Sequence, residues 1–336
     1  MTEIFGERNG EAVHRLSISG GGMTAHVLTL GAILQDLRMA GVDHALVLGS
    51  PTIDAYLGAM RWYGATVGRV ANRIAGGRAL LDGRALDLDR NEKDRTTLHG
   101  GRGAAPDRVW DFLDHGPGFC RLRVVLPDGQ AGFPGNLVLT AGFRLGDDGA
   151  LEISYAAETD ALTFCNIAHH GYWNLSGGPD IRDHRLSIVA ERYLPVDAHL
   201  IPLGDPAPVT TTRFDFRAPR PVVKPGDTLL DHNFCLDGAA GTMHPACTLR
   251  GGGLRLDVST TAPGLQIYDG TAVDSGMLAT HSGHRYGAHA GIAIEPQHWP
   301  DAPNHPDYPD ITLRPGARYT QVSRFHVTRD DERTHR

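Results

Sequence analysis

Apolar and polar residues alternate over short stretches along much of the chain. Leu151, Ile153 and Tyr155 mark one such stretch, and Leu254, Leu256 and Val258 another. A period of two belongs to a β-strand with one buried face. Runs of similar character lie at 25–30, 44–49, 120–127, 136–145, 291–295 and 323–328. Forty-two glycines and twenty-one prolines break the chain between them, which leaves room for few helices. The pattern predicts short helical segments only near 52–58 and around Asn91.

Turn chemistry points the same way. Asp82-Gly83 stands between two apolar runs, a strong hairpin signal. The stretch 126–135 carries Pro-Asp-Gly and then Phe-Pro-Gly, two turn makers in succession. Many short strands separated by such turns predict an all-β sandwich or barrel rather than βαβ units. With no internal repeat, linker or abrupt charge shift, the expectation is one domain over 1–336, frayed at about 1–10 and 329–336.

Composition narrows the possible partners. The 336 residues are 41% hydrophobic, enough for a large core, and carry a net charge of −7. That balance offers no basic surface for nucleic acid or acidic lipid. No apolar run approaches the roughly 18 residues of a membrane-spanning helix. The first residues lack the basic and apolar regions of a signal peptide. Cys120, Cys165, Cys235 and Cys247 are scattered without a CxxC pair, as expected of reduced thiols in a cytoplasmic protein.

Several stretches hold reactive residue types, each with an ordinary alternative. Glu295 ends an apolar strand and precedes Pro296, so it is either salt-bridged or placed for use. His169 and His170 are adjacent; in an extended strand they point to opposite faces, so at most one faces a given pocket. Arg69 and Arg73 are either surface charges or, in an apolar setting, binders of a carboxylate. Asp231 could cap a turn, and His99 could simply end a strand before Gly100-Gly101. The histidines of 281–289, with His298 and His305, suggest a metal site near Glu295, but no HExxH or CxxC spacing supports one. No GxSxG nucleophile elbow is present, and the glycines of 19–23 and 251–256 lack nucleotide-loop spacing.

Taken in order, these stretches resemble the successive motifs of the aldose 1-epimerase (galactose mutarotase) family. They are ALVLGSPTIDAYL, YGATVGRVANRIAGGR, TLHGG, GFPGNL, HHGYWNLSG, DHNFCL, PGLQIY and IEPQHWPDAPNHPDYP with LRPG, from about residue 25 to 326. The resemblance implies a large antiparallel β-sandwich and an activity that uses no metal and no organic cofactor. It implies that His170 is the general acid, in the place of the His of an Asn-His-Ser-Tyr-Phe-Asn-Leu type motif, with His169 in the preceding Asn-type position. It implies Glu295 as the general base. Sugar contacts fall on Asn72, Arg73, His99, Asp231 and Gln266, with Tyr172 as a further contact. The chain departs from the family at Asp269-Gly270-Thr271, where Thr-Gly-Asn is common, and at Arg102-Gly103-Ala104-Ala105. Both departures are expected near the sugar rim.

The implied chemistry is the interconversion of α and β anomers of a free aldose. One group takes the proton of the anomeric hydroxyl while another gives a proton to the ring oxygen, which needs one base and one acid. An unperturbed His titrates near ~6.5 and is mostly neutral at pH 7. A neighbouring carboxylate would raise that value and burial would lower it. An apolar sugar face could stack on Trp173 or Tyr172. The alternatives are a same-fold epimerase for a modified or phosphorylated sugar and a non-catalytic sugar-binding or regulatory protein. The expected partner is a monosaccharide, bound by a monomer or homodimer.

Overall fold

The computed structural model describes residues 2–224, 226 and 229–330. Strands dominate, and every named strand pair is antiparallel. A nine-stranded sheet has at its centre Leu137–Leu145, Leu151–Thr159, Tyr319–Arg329, Leu254–Thr260 and His244–Gly251, in that spatial order. Register there follows the hydrophobic period. Leu139, Ala141 and Phe143 stand opposite Ala157, Tyr155 and Ile153, and all six side chains are buried. A slip of one residue would turn each of them to solvent.

A six-stranded sheet runs Tyr172–Trp173, Ile292–Gln297, Gly264–Tyr268, Asp231–Cys235, Arg192–Tyr193 and Ala207–Pro208. Its Trp173, Ile292, Ile294, Leu265, Ile267 and Phe234 join one core cluster with Phe325, Val327, Leu256 and Val258 of the larger sheet. Trp173 stacks on Phe325 with ring centroids 5.3 Å apart and planes at 19°. The two sheets therefore pack face to face as a sandwich. A four-stranded sheet, Thr2–Arg8, Glu11–Gly20, Met23–Leu28 and Ile33–Met39, adds Leu16, Ile18, Ala25 and Val27 to the same cluster.

The expected sandwich is present, with three departures in detail. Residues 2–8, expected to be frayed, form a strand held along Glu11–Gly20. The run 44–49 forms no regular strand: Val47 bridges Trp173, and the flanking bonds, Leu48 N–H to the Tyr172 carbonyl and Asn174 N–H to the Leu46 carbonyl, pair it only briefly with the outer strand of the six-stranded sheet. The segment around Asn91 is a hairpin turn and not a helix. Glu92 and Thr96 bridge each other across it, and Lys93 and Asp94 both have positive φ. The expected helix near 52–58 is observed at Ile53–Leu57, and the Asp82-Gly83 hairpin joins Arg78–Leu81 to Arg84–Asp87. Of the expected frayed tail, residues 331–336 lie outside the described residues. Among the described residues no helix is long and apolar enough to cross a membrane.

Candidate active site

Alternation places the chemistry on the face of the six-stranded sheet opposite the core. Gln266 pairs with Glu295 and with Asn233, and Asp231 pairs with Tyr268. These residues share one face, while Ile267, Ile294 and Phe234 between them fill the sandwich. Tyr172, opposite Ala293, lies on the same face as Glu295. Over this face lies a cavity of about 640 Å³ whose wall includes Asn72, Arg73, His99, His170, Tyr172, Asp231 and Glu295.

The remaining groups come from outside that sheet. Arg73–Ile74 pairs with Thr97–Leu98, so the ANRI and TLHGG stretches become neighbours. Asn72 and His99 then lock together: the Asn72 N–H donates to His99 Nδ1 at 3.2 Å, and the His99 N–H donates to the Asn72 carbonyl at 3.0 Å. Both residues have left-handed backbones, with φ of 61° and 52°, a conformation non-glycine residues hold where surrounding structure enforces it. Gly100 follows because a Cβ there would come within 2.6 Å of the Gly68–Arg69 backbone. With Nδ1 accepting, and with burial pushing its pKa well below the ordinary value, His99 is neutral and offers Nε2–H as a donor.

His170 ends the strand Ala168–His170, which pairs with Ala65–Val67. Its Nε2 lies 3.7 Å from Glu295 Oε1, and its ring packs edge-on to His99 at 5.2 Å. Burial holds the His170 pKa down at about 4, with its own carbonyl opposing and the Arg73 charge adding to the lowering. Burial pushes Glu295 well above the carboxylate range; Asp231 adds to this and Arg73 opposes it. Burial, not the neighbouring carboxylate, thus dominates at His170. Glu295 Oε2 is buried without a hydrogen-bond partner among the described residues, an acceptor left unspent.

His169 points the other way, as alternation requires. It packs edge-on against Phe325 at 6.0 Å inside the sandwich. Its period-two neighbour Trp173 lies in the core with it, completely buried, so stacking of sugar on Trp173 is ruled out. The aromatic wall is made instead by Tyr172, Tyr63, Tyr268 and Trp62. Tyr63 and Tyr172 lie 4.6 Å apart, Tyr172 and Tyr268 6.2 Å, and Trp62 meets His99 at 5.3 Å. Tyr268 also holds the rim, its hydroxyl oxygen accepting from the Ala272 N–H at 2.6 Å.

Gln266 stands beside Glu295 on the same sheet face; its Nε2 donates to Asp231 Oδ1 at 2.6 Å, and its Oε1 is buried without a hydrogen-bond partner among the described residues. One further expectation needs correction. Arg69 is neither a surface charge nor a carboxylate binder. It is fully buried, and its guanidinium donates to the carbonyls of Pro134, Leu126 and Gly135 and to Thr163 Oγ1 at 2.7–3.0 Å. Arg73 is the one that binds a carboxylate, through two bonds of 2.8 Å to Glu92, a wall residue the sequence reading missed. Of the departures, Thr271 lines the cavity, whereas Arg102 pairs with Asp89 outside it and Ala104 and Ala105 are buried.

A profile of the aldose 1-epimerase family matches residues 14–326. The chain belongs to the aldose 1-epimerase family. Rat galactose mutarotase is 38% identical over 96% of both chains. The human galactose mutarotase is 36% identical over the same shares. The aldose 1-epimerase of Escherichia coli K12 is 33% identical, over 90% of this chain and 92% of its own. A solved aldose epimerase homologue from C. elegans superposes with a TM-score of 0.88 at 29% identity, covering 95% of this chain and 99% of its own. Galactose 1-epimerase from Lactobacillus acidophilus gives 0.85 at 28%, over 98% of each. Like other aldose 1-epimerases, the chain is an isomerase, and it interconverts the anomers of a free aldose.

Proposed function

We propose that the aldose lies with its anomeric carbon over the His170–Glu295 pair, and that galactose is among its substrates. The observation that carries this reading is the 3.7 Å approach of Nε2 to Oε1 within a cavity whose wall also carries Asn72, Arg73, His99 and Asp231. The geminal oxygens of the anomeric carbon are neighbours, so an acid and a base that serve both must be neighbours too.

Ionised Glu295 takes the proton of the anomeric hydroxyl, the C1–O1 bond becomes a carbonyl, and the C1–O5 bond breaks. The bonding electrons go to O5, which receives the proton of the His170 imidazolium. The open aldehyde turns about C1–C2, and the same two transfers in reverse close the ring on the other face. At the open-chain stage Glu295 is protonated and His170 neutral, the distribution that burial favours at each group. The site is therefore tuned to the intermediate rather than to the closed sugar. Asp231 accepts from sugar hydroxyls, Arg73, Asn72 and His99 donate, and the Tyr172 side flanks the apolar face of the ring.

The same reading has the chain work as one unit, alone or as a homodimer, in the cytoplasm. Four buried, unpaired cysteines support a reducing compartment. Polarimetry on freshly dissolved α-galactose and α-glucose tests the function: the protein should speed the approach to equilibrium. Acceleration confined to sugar phosphates, or none for any aldose, would overturn the proposal.

A further inference from the structure

Arg73 reaches the sugar cavity with one edge of its guanidinium already spent. Its Nε donates to Glu92 Oε2 and its Nη2 to Glu92 Oε1, both at 2.8 Å, the parallel two-point arrangement that fixes a guanidinium in its plane. The remaining nitrogen, Nη1, lies 3.8 Å from Asp231 Oδ2. Asp231 is therefore close enough to attract Arg73 but does not capture it.

Glu92 is itself held in place. Thr96 Oγ1 donates to Glu92 Oε2 at 2.6 Å. The turn between them closes through Glu92 and Thr96 and carries Lys93 and Asp94 at φ of 51° and 53°, as a tight hairpin turn requires. Asn91 then ties the turn to the strand before His99: its side chain donates to the Leu98 carbonyl and accepts from the Leu98 N–H. The hairpin thus sets the guanidinium, the imidazole and the intervening strand as one body.

We infer that Glu92 is the positioning residue for Arg73, keeping its guanidinium turned toward the sugar instead of collapsing onto Asp231. Without the Glu92 carboxylate, the same guanidinium can swing through the short remaining gap and form its two-point pair with Asp231. Two sugar readers would then satisfy each other. Charge adds a second consequence. Arg73 is a cation whose field reaches both Glu295 and His170. Glu92 offsets that field, so losing its charge makes the potential at the acid–base pair more positive and eases proton loss from both groups.

The inference rests on the sugar-isomerase reading. The test measures KM, kcat and the pH profile of galactose mutarotation for wild type, Glu92→Gln, Glu92→Asp and Thr96→Val. Glu92→Gln should raise KM about tenfold with kcat changed less than about threefold, and should move the whole pH profile to lower pH. Glu92→Asp keeps the charge, so its profile should stay where the wild type's lies even if KM rises. Thr96→Val removes only the hydroxyl that steadies Glu92 and should raise KM by a smaller factor; it decides the matter if Glu92→Gln does not fold. An active wild type with Glu92→Gln unmoved in both KM and pH profile overturns this inference. A wild type inactive on every aldose overturns the isomerase reading beneath it.

Discussion

His170 Nε2 and Glu295 Oε1, on two different strands, stand 3.7 Å apart on the floor of the cavity. At that separation two buried ionisable groups titrate as a coupled pair, and their ionisation steps belong to the pair rather than to either residue. Removing either group should cost about 10²–10⁴-fold in rate. Glu295→Gln and His170→Ala are accordingly expected to lower kcat by at least a hundredfold in the polarimetric assay. A variant within tenfold of wild type would remove that residue from the chemistry.

The rate should pass through a maximum with pH. Active enzyme carries a single proton on the pair, so a second proton at low pH and loss of the only proton at high pH both stop turnover. A kcat/KM for galactose that stays flat from pH 5 to 9 would show that no such pair operates.

Stability has its own pH dependence, set by buried neutral histidines. Burial lowers His169 to about 3 and His170, His184, His232 and His298 to about 4. A histidine whose folded pKa is depressed adds stability that is present above its unfolded value near ~6.5 and is lost as pH falls toward the folded value. The melting temperature should therefore drop between pH 6.5 and 4, because the unfolded chain protonates these rings while the folded chain keeps them neutral. An unchanged Tm across that window would contradict the assignment.

His169→Asn separates structure from chemistry at the paired histidines. The ring lies against Phe325 on the core side, away from the sugar, so kcat and KM should stay within about threefold of wild type. A smaller side chain leaves space in the sandwich, and a stability loss of about 1–3 kcal/mol is expected in urea unfolding. A hundredfold loss of kcat in a folded variant would place His169 in the mechanism.

Arg69→Leu should be severe for folding alone. It strips hydrogen bonds from the buried Leu126 and Gly135 carbonyls, the half-buried Pro134 carbonyl and a threonine hydroxyl, each buried unpaired group costing about 1–3 kcal/mol. Denaturant titration should register a loss of at least about 3 kcal/mol, or no folded protein; a near-neutral change would mean that water serves those carbonyls equally well.

Much of this architecture could be read from the alternation of residues along the chain. Leu151-Ile153-Tyr155 and Leu254-Leu256-Val258 lie in strands with those side chains buried, because a period of two has only one way to hide its apolar set. The same logic, carried further, places Tyr172 with His170 and Trp173 with His169, and would have kept Trp173 out of the sugar site. What could not be read locally depends on partners far along the chain. Gln266 meets Asp231 because Gly264–Tyr268 pairs with Asp231–Cys235, and Glu92 meets Arg73 because Arg73–Ile74 pairs with the strand after the Glu92 turn. The segment 44–49 has strand composition, but its pairing is limited to a short stretch about Val47, beside Trp173 and Leu37. Around Asn91, the paired positive φ values of Lys93 and Asp94 override any helical tendency.

The three neighbouring strands Asp231–Cys235, Gly264–Tyr268 and Ile292–Gln297 bring the carboxylates to one face through register alone. No one strand contains a site, and a shift of one residue would exchange Glu295 for Ile294 in one strand, Gln266 for Leu265 or Ile267 in the next, and Asp231 for Leu230 or His232 in the third. Catalytic competence is therefore a reporter of correct strand alignment. During refolding, recovered turnover should follow native pairing of these strands and lag behind the earlier appearance of β-structure.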